Sequence, residues 1–290
     1  MDKKIAVVCN PLAGSGRAVT VSRQVQNILV QLKVSFVFFN KEWPEHFSDF
    51  TDVWIVGGDG TLNFFINKYP QLHLPLAVFK GGSGNDFHWL LYGDITVKEQ
   101  VVLVLKAKPA KVDAGLCNGR LFLNGVGIGF DGAVVNDLAN KSKKAGKASY
   151  YLSVLKNLLS YRELDYTICC DGFNGQRRLL IMSIANGKRF GGGFQVAPPA
   201  SPCDGMLDVV MINALPFWKR IIYLPVMERG KHLSLPFVKH FKTTAIVIES
   251  VVPMLAHLDG EFYKDTKMEI TILPDRFLFC FRSDEQNYKS

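Results

Sequence analysis

An apolar strand that runs into a glycine-rich turn and then a helix is the feature that most restricts how this chain can fold. Residues 53–62 read Val-Trp-Ile-Val-Gly-Gly-Asp-Gly-Thr-Leu. Glycines permit positive φ and close backbone approach, and a helix N-terminus offers free N–H groups to an anion. The segment predicts a phosphate cradle, with a tight turn capped by Asp59 or Thr61 as the alternative. It is neither a Walker A loop nor a dinucleotide-binding G-x-G-x-x-G.

Two further glycine loops also follow apolar strands. Residues 10–17 come after the strand Lys4–Cys9, and residues 81–87 come after the strand Leu76–Phe79. In an open parallel sheet, ligands bind outside the carboxyl ends of the strands. We therefore expect the three loops to surround one phosphate-bearing ligand, with three unrelated turns as the alternative. Arg17 adds a cation suited to a polyphosphate.

Apolar strands and helical segments alternate in the first third of the chain. A helix at residues 17–32, strands at 35–39 and 53–56 and a helix starting near Thr61 predict a doubly wound parallel sheet. After about Lys108, short β-prone runs are separated by turn formers, which is typical of an antiparallel sandwich or barrel. These runs are residues 120–126, 166–170, 178–185, 206–212, 244–250 and 267–273. One helix, at residues 147–159, interrupts them.

Composition excludes several classes of protein. A chain of 290 residues with 48% hydrophobic and 21% charged residues is folded rather than disordered. The net charge of +8 suits nucleic acid, an anionic membrane surface, phosphate-bearing ligands or simply a soluble surface. The six cysteines have no C-x-x-C spacing, which favours a reduced, cytoplasmic setting. No window approaches the roughly 20 apolar residues of a membrane span, so we expect a soluble protein.

Six motifs in order resemble those of the diacylglycerol kinase catalytic-domain family, which includes sphingosine and ceramide kinases and soluble bacterial lipid kinases. The Gly-Gly-Asp-Gly-Thr turn alone also occurs in NAD kinases and phosphofructokinases, whereas the ordered set is far more specific and covers nearly the whole chain. Besides the three glycine loops, the motifs are Val112–Gly115, Ala197–Asp208 and Leu258–Glu261.

The resemblance implies two domains and an activity. Residues 1–110 form a doubly wound α/β domain that binds ATP, residues 111–274 form a β-sandwich domain for the lipid acceptor, and residues 275–290 return to the first domain. The implied reaction moves the γ-phosphoryl group of ATP to a lipid hydroxyl, with Mg²⁺ present. Diacylglycerol or a related glycerolipid is the first acceptor and a sphingoid base the second. Such a transfer needs phosphate positioning, charge neutralisation by a metal and a group that deprotonates the hydroxyl.

The glycine loops supply the predicted nucleotide contacts. Asp59 can also reach a magnesium ion or its waters. This chain has Gly81-Gly82-Ser83 where many members of the family have a Gly-Thr pair, and its basic residue in the first loop, Arg17, follows an extra Gly-Ser-Gly. The predicted ATP-binding residues are Asn10, Pro11, Arg17, Gly57, Gly58, Asp59, Gly60, Thr61, Ser83 and Asn85.

The later motifs supply the remaining candidates. By resemblance, Glu261 is the general base for the lipid hydroxyl, with Asp259 the weaker alternative, although Asp259-Gly260 is also a hairpin signal. Asp113 aligns with an aspartate near the acceptor; otherwise it is a strand-end carboxylate that caps a turn. With Asp59, these give Glu261, Asp59 and Asp113 as the catalytic candidates.

A magnesium-binding loop is also implied by the resemblance. The expected ligands are Ser201, Asp204 and Met206, two of them through backbone carbonyls, with Asp208 as a further participant. Taken from composition alone, Asp204-Gly205 is a hairpin signal.

Basic residues predict contact with anionic lipid headgroups, each contributing on the order of 1 kcal/mol near the surface; solvated loop charge is the alternative. Candidate contacts are Lys141, Lys143, Lys144, Lys147 and Lys219-Arg220 beside Phe217-Trp218. The expected partners are ATP and a lipid acceptor, with peripheral membrane contact, a homodimer as a further option and no nucleic acid. The expected location is cytoplasmic, with transient membrane association. The competing functions are a kinase of a soluble acceptor such as NAD, and a nucleotide- or lipid-binding sensor without turnover.

Overall fold

A computed structural model describes residues 3–40, 42–139 and 147–282, with side chains for all of these except 147–151. The chain divides into two compact units. Unit 1 contains the residues up to Val112 and those from Asp275 onward, and unit 2 contains Asp113–Pro274. The predicted headgroup contacts Lys141, Lys143 and Lys144, and the side chain of Lys147, lie outside the described residues.

Unit 1 is built on a parallel sheet in the order β13–β4–β3–β1–β2. Its strands are β1 (Lys4–Cys9), β2 (Ser35–Phe39), β3 (Asp52–Gly57), β4 (Leu76–Lys80) and the end of β13 (Glu261–Cys280). Every residue of β3, and every residue of β1 after the first, is buried. Continuous apolar runs of this kind belong to strands covered on both faces, so the predicted α/β fold is confirmed.

Helices connect these strands. They are a short 3-10 turn (Ala13–Gly16), α1 (Arg17–Gln31), α2 (Asp59–Lys68), α3 (Asp86–Tyr92) and α4 (Val97–Lys106). The sequence did not predict α3 or α4. The first has only seven residues, and the second is rich in β-branched valine, although Thr96 and Glu99 form a capping box at its start.

The end of β13 is a strand of the unit 1 sheet, where Phe279 pairs in parallel with Leu76 of β4. Phe277, Phe279 and Phe281 are buried. The Tyr92 hydroxyl donates to the Cys280 carbonyl at 3.0 Å. The last strand therefore completes the core of unit 1.

Unit 2 is predominantly antiparallel. Its strands follow the order β11–β10–β9–β7–β12–β13, with β8 paired to both β9 and β12 and β5 paired to β6. They are β5 (Pro109–Cys117), β6 (Arg120–Phe122), β7 (Gly125–Gly129), β8 (Leu164–Cys170), β9 (Phe173–Ala185), β10 (Leu207–Asn213), β11 (Val238–Thr243), β12 (Ala245–Leu258) and the first part of β13. Val209 and Met211 enter an all-strand core, whereas Val210 and Ile212 enter a second core that contains helices. Both faces of β10 are therefore covered.

The prediction of a single helix in this region was incomplete. Unit 2 has α5 (Phe130–Ala139), α6 (Lys147–Ser160) and α7 (Phe217–Glu228). Aromatic residues at its start and Pro225 inside it make α7 a poor match to a helical pattern. Within the described residues, none of the helices has the length and hydropathy of a membrane span.

One predicted strand and one predicted lipid contact were wrong. Residues 120–126 form two strands, because the N–H groups of Leu123 and Asn124 bond to the side chain of Asp259. Arg220 is buried and pairs with Glu163 at 2.6 Å, so its charge does not face solvent.

Phe279→Ala should lower the stability of the protein by about 3–5 kcal/mol, because it removes a fully buried ring that contacts Phe87 at a centroid distance of 5.3 Å. Urea denaturation provides the measurement. The matched variant Phe64→Ala removes a ring that is 59% exposed and should cost less than about 1 kcal/mol. Equal losses in the two variants would contradict this packing.

Candidate functional site

The three glycine loops lie side by side at the carboxyl ends of β1, β3 and β4. The Gly81 N–H donates to the Gly57 carbonyl at 2.8 Å. A Cβ on Gly58 would lie 2.8 Å from the Gly82 Cα, and a Cβ on Gly14 would overlap the Gly81 carbonyl. The predicted adjacency of the loops is confirmed, and glycine is required where they meet.

Polar side chains tie the loops together. The Asn10 amide donates to the Thr61 hydroxyl at 3.0 Å, and an Arg17 guanidinium nitrogen donates to the Gly82 carbonyl at 2.9 Å. Asn85 closes the third loop, because its amide donates to the Gly82 carbonyl at 2.9 Å and its oxygen accepts from the Gly82 N–H at 2.8 Å. Predicted nucleotide-binding residues therefore hold the shape of the edge.

Asp59 joins the second loop to the start of α3. Its carboxylate accepts from the N–H of Asp86 at 3.1 Å and of Phe87 at 3.0 Å. Burial raises the pKa of Asp59, and these N–H groups oppose that rise without cancelling it. The N-cap residue of α2 is Gly58, which has no side chain to cap the helix, and the alternative of a turn capped by Asp59 or Thr61 stays open. Contact between Asp59 and magnesium stays a prediction.

A pocket of about 430 Å³ opens beside the first and second loops. Four of its lining residues were predicted: Asn10, Pro11, Gly60 and Thr61. The others whose side chains are candidates for ligand contact are Asn40, Glu42, Trp43, Phe64 and Lys68. Asn40, Glu42 and Trp43 follow β2. Because ligands bind outside the carboxyl ends of parallel strands, their position in the sequence could have indicated them. Phe64 and Lys68 share a helix face with Thr61 by their spacing of three and seven residues.

Trp43 is held in this pocket by two kinds of contact. Its indole N–H donates to the Cys9 carbonyl at 3.3 Å. Its ring meets Phe64 edge-on at a centroid distance of 5.7 Å and lies 5.8 Å from the ring of Phe65. An aromatic face of fixed orientation therefore borders the pocket.

The other predicted residues belong to unit 2, where Asp113 holds the loop that was predicted to bind magnesium. Asp113 is buried, and its carboxylate accepts from the Gly205 N–H at 2.8 Å. Its own N–H donates to the Pro202 carbonyl at 2.7 Å. This geometry agrees with the alternative of a carboxylate that caps a turn. Contact between Asp113 and an acceptor stays a prediction.

The positive charge at that loop comes from Lys242. Its ammonium group lies 2.7 Å from an oxygen of Asp204 and 2.9 Å from one of Asp208, whose side chain is fully buried. Burial lowers the pKa of Lys242, but its bonds with the two aspartates outweigh this and raise it overall. His240 contacts the other Asp208 oxygen at 2.6 Å.

The Lys242 ammonium lies beside Asp204, where a magnesium ion was predicted, and the predicted ligand set of this loop stays a prediction. One Asp204 oxygen accepts from the Met206 N–H at 3.1 Å and the other binds the ammonium of Lys242, which would repel a second cation. Ser201 is buried. Among the described side chains, no three His, Cys, Asp or Glu residues are grouped to hold a metal ion. Asp204-Gly205 is also no hairpin, since β9, the strand before it, ends as early as Ala185.

Glu261 is presented by the hairpin between β12 and β13. Leu258 pairs with Glu261 across a two-residue turn in which Asp259 and Gly260 have φ of 48° and 88°. Positive φ at both central residues is the requirement of a type I′ turn, so the hairpin prediction is confirmed. Glu261 is exposed and has no side-chain hydrogen bond among the described residues.

Asp259 fixes the position of that hairpin. Its carboxylate accepts from the N–H groups of Leu123, Asn124 and Gly125 at 2.8, 2.8 and 2.9 Å. Three donors occupy the carboxylate, which makes it a poor base. Asp259 therefore has a positioning role, and the proposed proton acceptor is Glu261.

Two titratable residues near the hairpin were missed. A Cβ on Gly127 would overlap the ring of His257 and lie 3.0 Å from the Cβ of Asp131. Burial raises the pKa of Asp131 to about 6 and lowers that of His257 to about 4. His257 accepts from the Gly260 N–H at 3.3 Å. The strand–glycine–helix pattern of β7 and α5 resembles that of the second loop and was the available signal.

Two family models match the sequence. The model described as "Diacylglycerol kinase catalytic domain" matches residues 4–117. The model described as "YegS C-terminal NAD kinase beta sandwich-like domain" matches residues 124–279, more than half of the chain.

Relatives and solved structures agree with these matches. A diacylglycerol kinase of Bacillus subtilis is 30% identical over 223 residues, which cover 74% of this chain and 72% of the relative. A diacylglycerol kinase of Mycobacterium tuberculosis is 26% identical and covers 93% of both chains. A crystal structure of a diacylglycerol kinase from Bacillus anthracis has a TM-score of 0.72, covers 97% of both chains and is 21% identical, which supports the fold alone.

Lys242→Met should destabilise the protein by about 1–3 kcal/mol, because Asp208 would keep a buried charge with one partner fewer. Differential scanning fluorimetry with millimolar MgCl₂ or with EDTA provides the measurement. Wild type should unfold at the same temperature in both. Lys267→Met is the control, since this lysine also contacts two carboxylates, of Glu249 and Glu269, but on an exposed surface. Stabilisation of wild type by Mg²⁺ would contradict the assignment of Lys242 as the cation of this loop.

Proposed function

This chain belongs to the diacylglycerol kinase catalytic-domain family, and on that premise we propose that it is an ATP-dependent lipid kinase. It transfers the γ-phosphoryl group of ATP to a lipid hydroxyl. Diacylglycerol or a related glycerolipid is the first acceptor to consider, and a sphingoid base is the second. The observation that carries the proposal is the set of three glycine loops joined at one edge of the parallel sheet.

The phosphates of ATP bind at that edge. The N-terminus of α2 offers backbone N–H groups and the positive end of its helix dipole, whereas the N–H groups of Asp86 and Phe87 at the start of α3 donate to Asp59. Further contacts to the phosphates come from the guanidinium of Arg17 and the hydroxyls of Ser83 and Thr61. Magnesium arrives with ATP as part of the substrate, and when bound it neutralises charge on the phosphates. Asp59 keeps the two helix starts together.

The adenine base occupies the pocket beside the first loop. A purine needs a flat apolar surface and a few polar groups at its edge. Trp43 offers such a surface, and Asn40, Glu42 and Lys68 surround it. The contacts of Trp43 with Cys9 and Phe64 fix the ring before the nucleotide binds, which lowers the entropic cost of binding.

Glu261 removes the proton from the lipid hydroxyl. The hydroxyl oxygen forms a bond to the γ-phosphorus, the bond from that phosphorus to the β–γ bridging oxygen breaks, and ADP leaves with the electron pair. Support for this role comes from the free, exposed carboxylate of Glu261 and from the rigid turn that Asp259 holds. Asp113 remains the candidate for contact with the acceptor.

The proposal includes a cellular location, and two alternative functions compete with it. The six cysteines are free thiols, which supports a reducing, cytoplasmic location with transient contact with an anionic membrane. A homodimer is compatible with this role. A kinase of a soluble acceptor such as NAD would release ADP without any lipid, and a sensor would bind ATP without releasing ADP.

Glu261→Gln should reduce lipid-dependent ADP release by about 100-fold or more, because it removes the general base and leaves the turn intact. The assay supplies MgATP with mixed micelles of diacylglycerol, monoacylglycerol, phosphatidylglycerol, sphingosine or ceramide, and with NAD or glycerol as soluble acceptors. The affinity for ATP should stay unchanged. Glu269→Gln alters an exposed glutamate of the same strand and should keep the wild-type rate.

Each contrary result of this assay has a definite meaning. Full turnover by Glu261→Gln would remove the glutamate from the mechanism. Release of ADP only with NAD or glycerol would move the protein to a kinase of soluble acceptors. Binding of ATP without turnover on any acceptor would support the sensor and overturn the proposed activity.

Trp43→Ala should weaken ATP binding by about 10-fold to 100-fold, because stacking of a base on an aromatic ring contributes about 1–3 kcal/mol. Isothermal titration calorimetry gives the dissociation constant. The conservative variant Trp43→Phe keeps a flat ring and should retain most of the affinity. An unchanged dissociation constant for Trp43→Ala would place the base elsewhere.

A further inference from the structure

Helices α6 and α7 of unit 2 expose an unusual number of large apolar side chains. Seven of them are between 45% and 65% exposed. They are Leu152, Leu155 and Leu159 on α6 and Phe217, Trp218, Ile221 and Ile222 on α7. Single exposed apolar residues are ordinary on a protein surface, but groups of this size mark an interaction surface. We call these seven side chains the apolar helix surface.

The spacing of these residues separates an outer face from an inner one. On α6 they recur at intervals of three and four, while Val154 and Leu158 of the same helix are buried. On α7 the exposed residues are confined to the first half, while Leu224 and Met227 pack against the core. Each helix is therefore anchored by one face and leaves the other uncovered.

Arg220 fastens the two helices together. Its guanidinium donates to the carbonyls of Leu158 and Tyr161 at the end of α6, at 3.2 and 2.9 Å. It also donates to the Glu163 carboxylate at 2.6 Å and to the Leu215 carbonyl at 2.8 Å. The start of α7 is thereby fixed beside the end of α6.

Positive charge accompanies the apolar residues. Residues 147–163 and 216–229 contain six basic and two acidic side chains. One of the two acids, Glu163, is engaged by the buried Arg220, and Lys156 is paired with Asp137 of α5. Arg162 is exposed, and the Lys219 ammonium lies 5.3 Å from the centre of the Trp218 ring. The surroundings of the apolar helix surface therefore favour an anionic partner.

We propose that the apolar helix surface docks on a bilayer that contains anionic phospholipid. Apolar and tryptophan side chains enter the boundary between headgroups and acyl chains, while Lys219 and Arg162 contact the phosphates. This inference rests on the proposed function, because a kinase of a membrane lipid must reach its acceptor at the bilayer surface. The inference assigns membrane contact to particular residues, whereas the net charge of the chain does not locate it.

Vesicle sedimentation of the whole 290-residue chain without ATP tests the inference. Wild type should bind vesicles of phosphatidylcholine with phosphatidylglycerol, and bind vesicles of phosphatidylcholine alone more weakly. The double variant Leu155→Asp with Trp218→Asp should lose at least 10-fold in vesicle affinity. Lys219→Glu should reduce binding to the anionic vesicles only. Val30→Asp with Leu32→Asp, two exposed apolar residues of unit 1, is the matched control and should bind like wild type.

A kinase assay separates this inference from the proposed function. On short-chain diacylglycerol dissolved as monomers, Leu155→Asp with Trp218→Asp should keep the wild-type rate, whereas on long-chain diacylglycerol in vesicles it should be slower. Vesicle binding by wild type that the double variant loses supports docking even if neither protein has kinase activity. Unaltered vesicle binding by the double variant overturns it. So does gel filtration in which wild type is a dimer and the double variant a monomer, because the surface would then bind a second copy.

Discussion

The backbone contact between Gly58 and Gly82 is the constraint on which the nucleotide edge depends. Neither position has room for a Cβ, and the Gly81 N–H bonds directly to the Gly57 carbonyl. This closeness puts the starts of α2 and α3 within reach of one carboxylate, that of Asp59. The loops that a phosphate would contact are therefore positioned before the ligand arrives, and preorganisation of this kind lowers the cost of binding.

The sequence predicted this edge well because the signals are local. A strand buried on both faces reads as an apolar run, and the carboxyl ends of parallel strands must share one edge. The pocket bordered by Trp43 and Phe64 was not predicted, because the chain after β2 has no glycine motif to mark a ligand site, and its place at a strand end was the remaining signal. Helix α7 was missed for a related reason, since its stability comes from packing and from Arg220 rather than from helical propensity.

For the carboxylates of unit 2, motifs alone did not indicate which residues have structural roles. Asp113, Asp204 and Asp259 all stand in motifs that imply chemistry, yet each accepts backbone N–H groups that hold a turn or loop. The donors to Asp259 lie more than 130 residues earlier in the sequence, so no spacing rule could have found them. Glu261 differs because it has no such partner among the described residues. The motifs identify the carboxylates of interest. Their hydrogen bonds distinguish Asp259, which holds the backbone in position, from Glu261, which is proposed to react.

The central claim, that the three glycine loops bind the phosphates of ATP through their backbone N–H groups, is tested most directly by hydrogen–deuterium exchange. The protein would be compared with and without a non-hydrolysable ATP analogue and magnesium. The account predicts slower exchange of amides in residues 10–17, 57–62 and 81–87, with no change in β11 as an internal reference. Exchange that is unchanged in all three loops, while calorimetry shows the analogue bound, would contradict it.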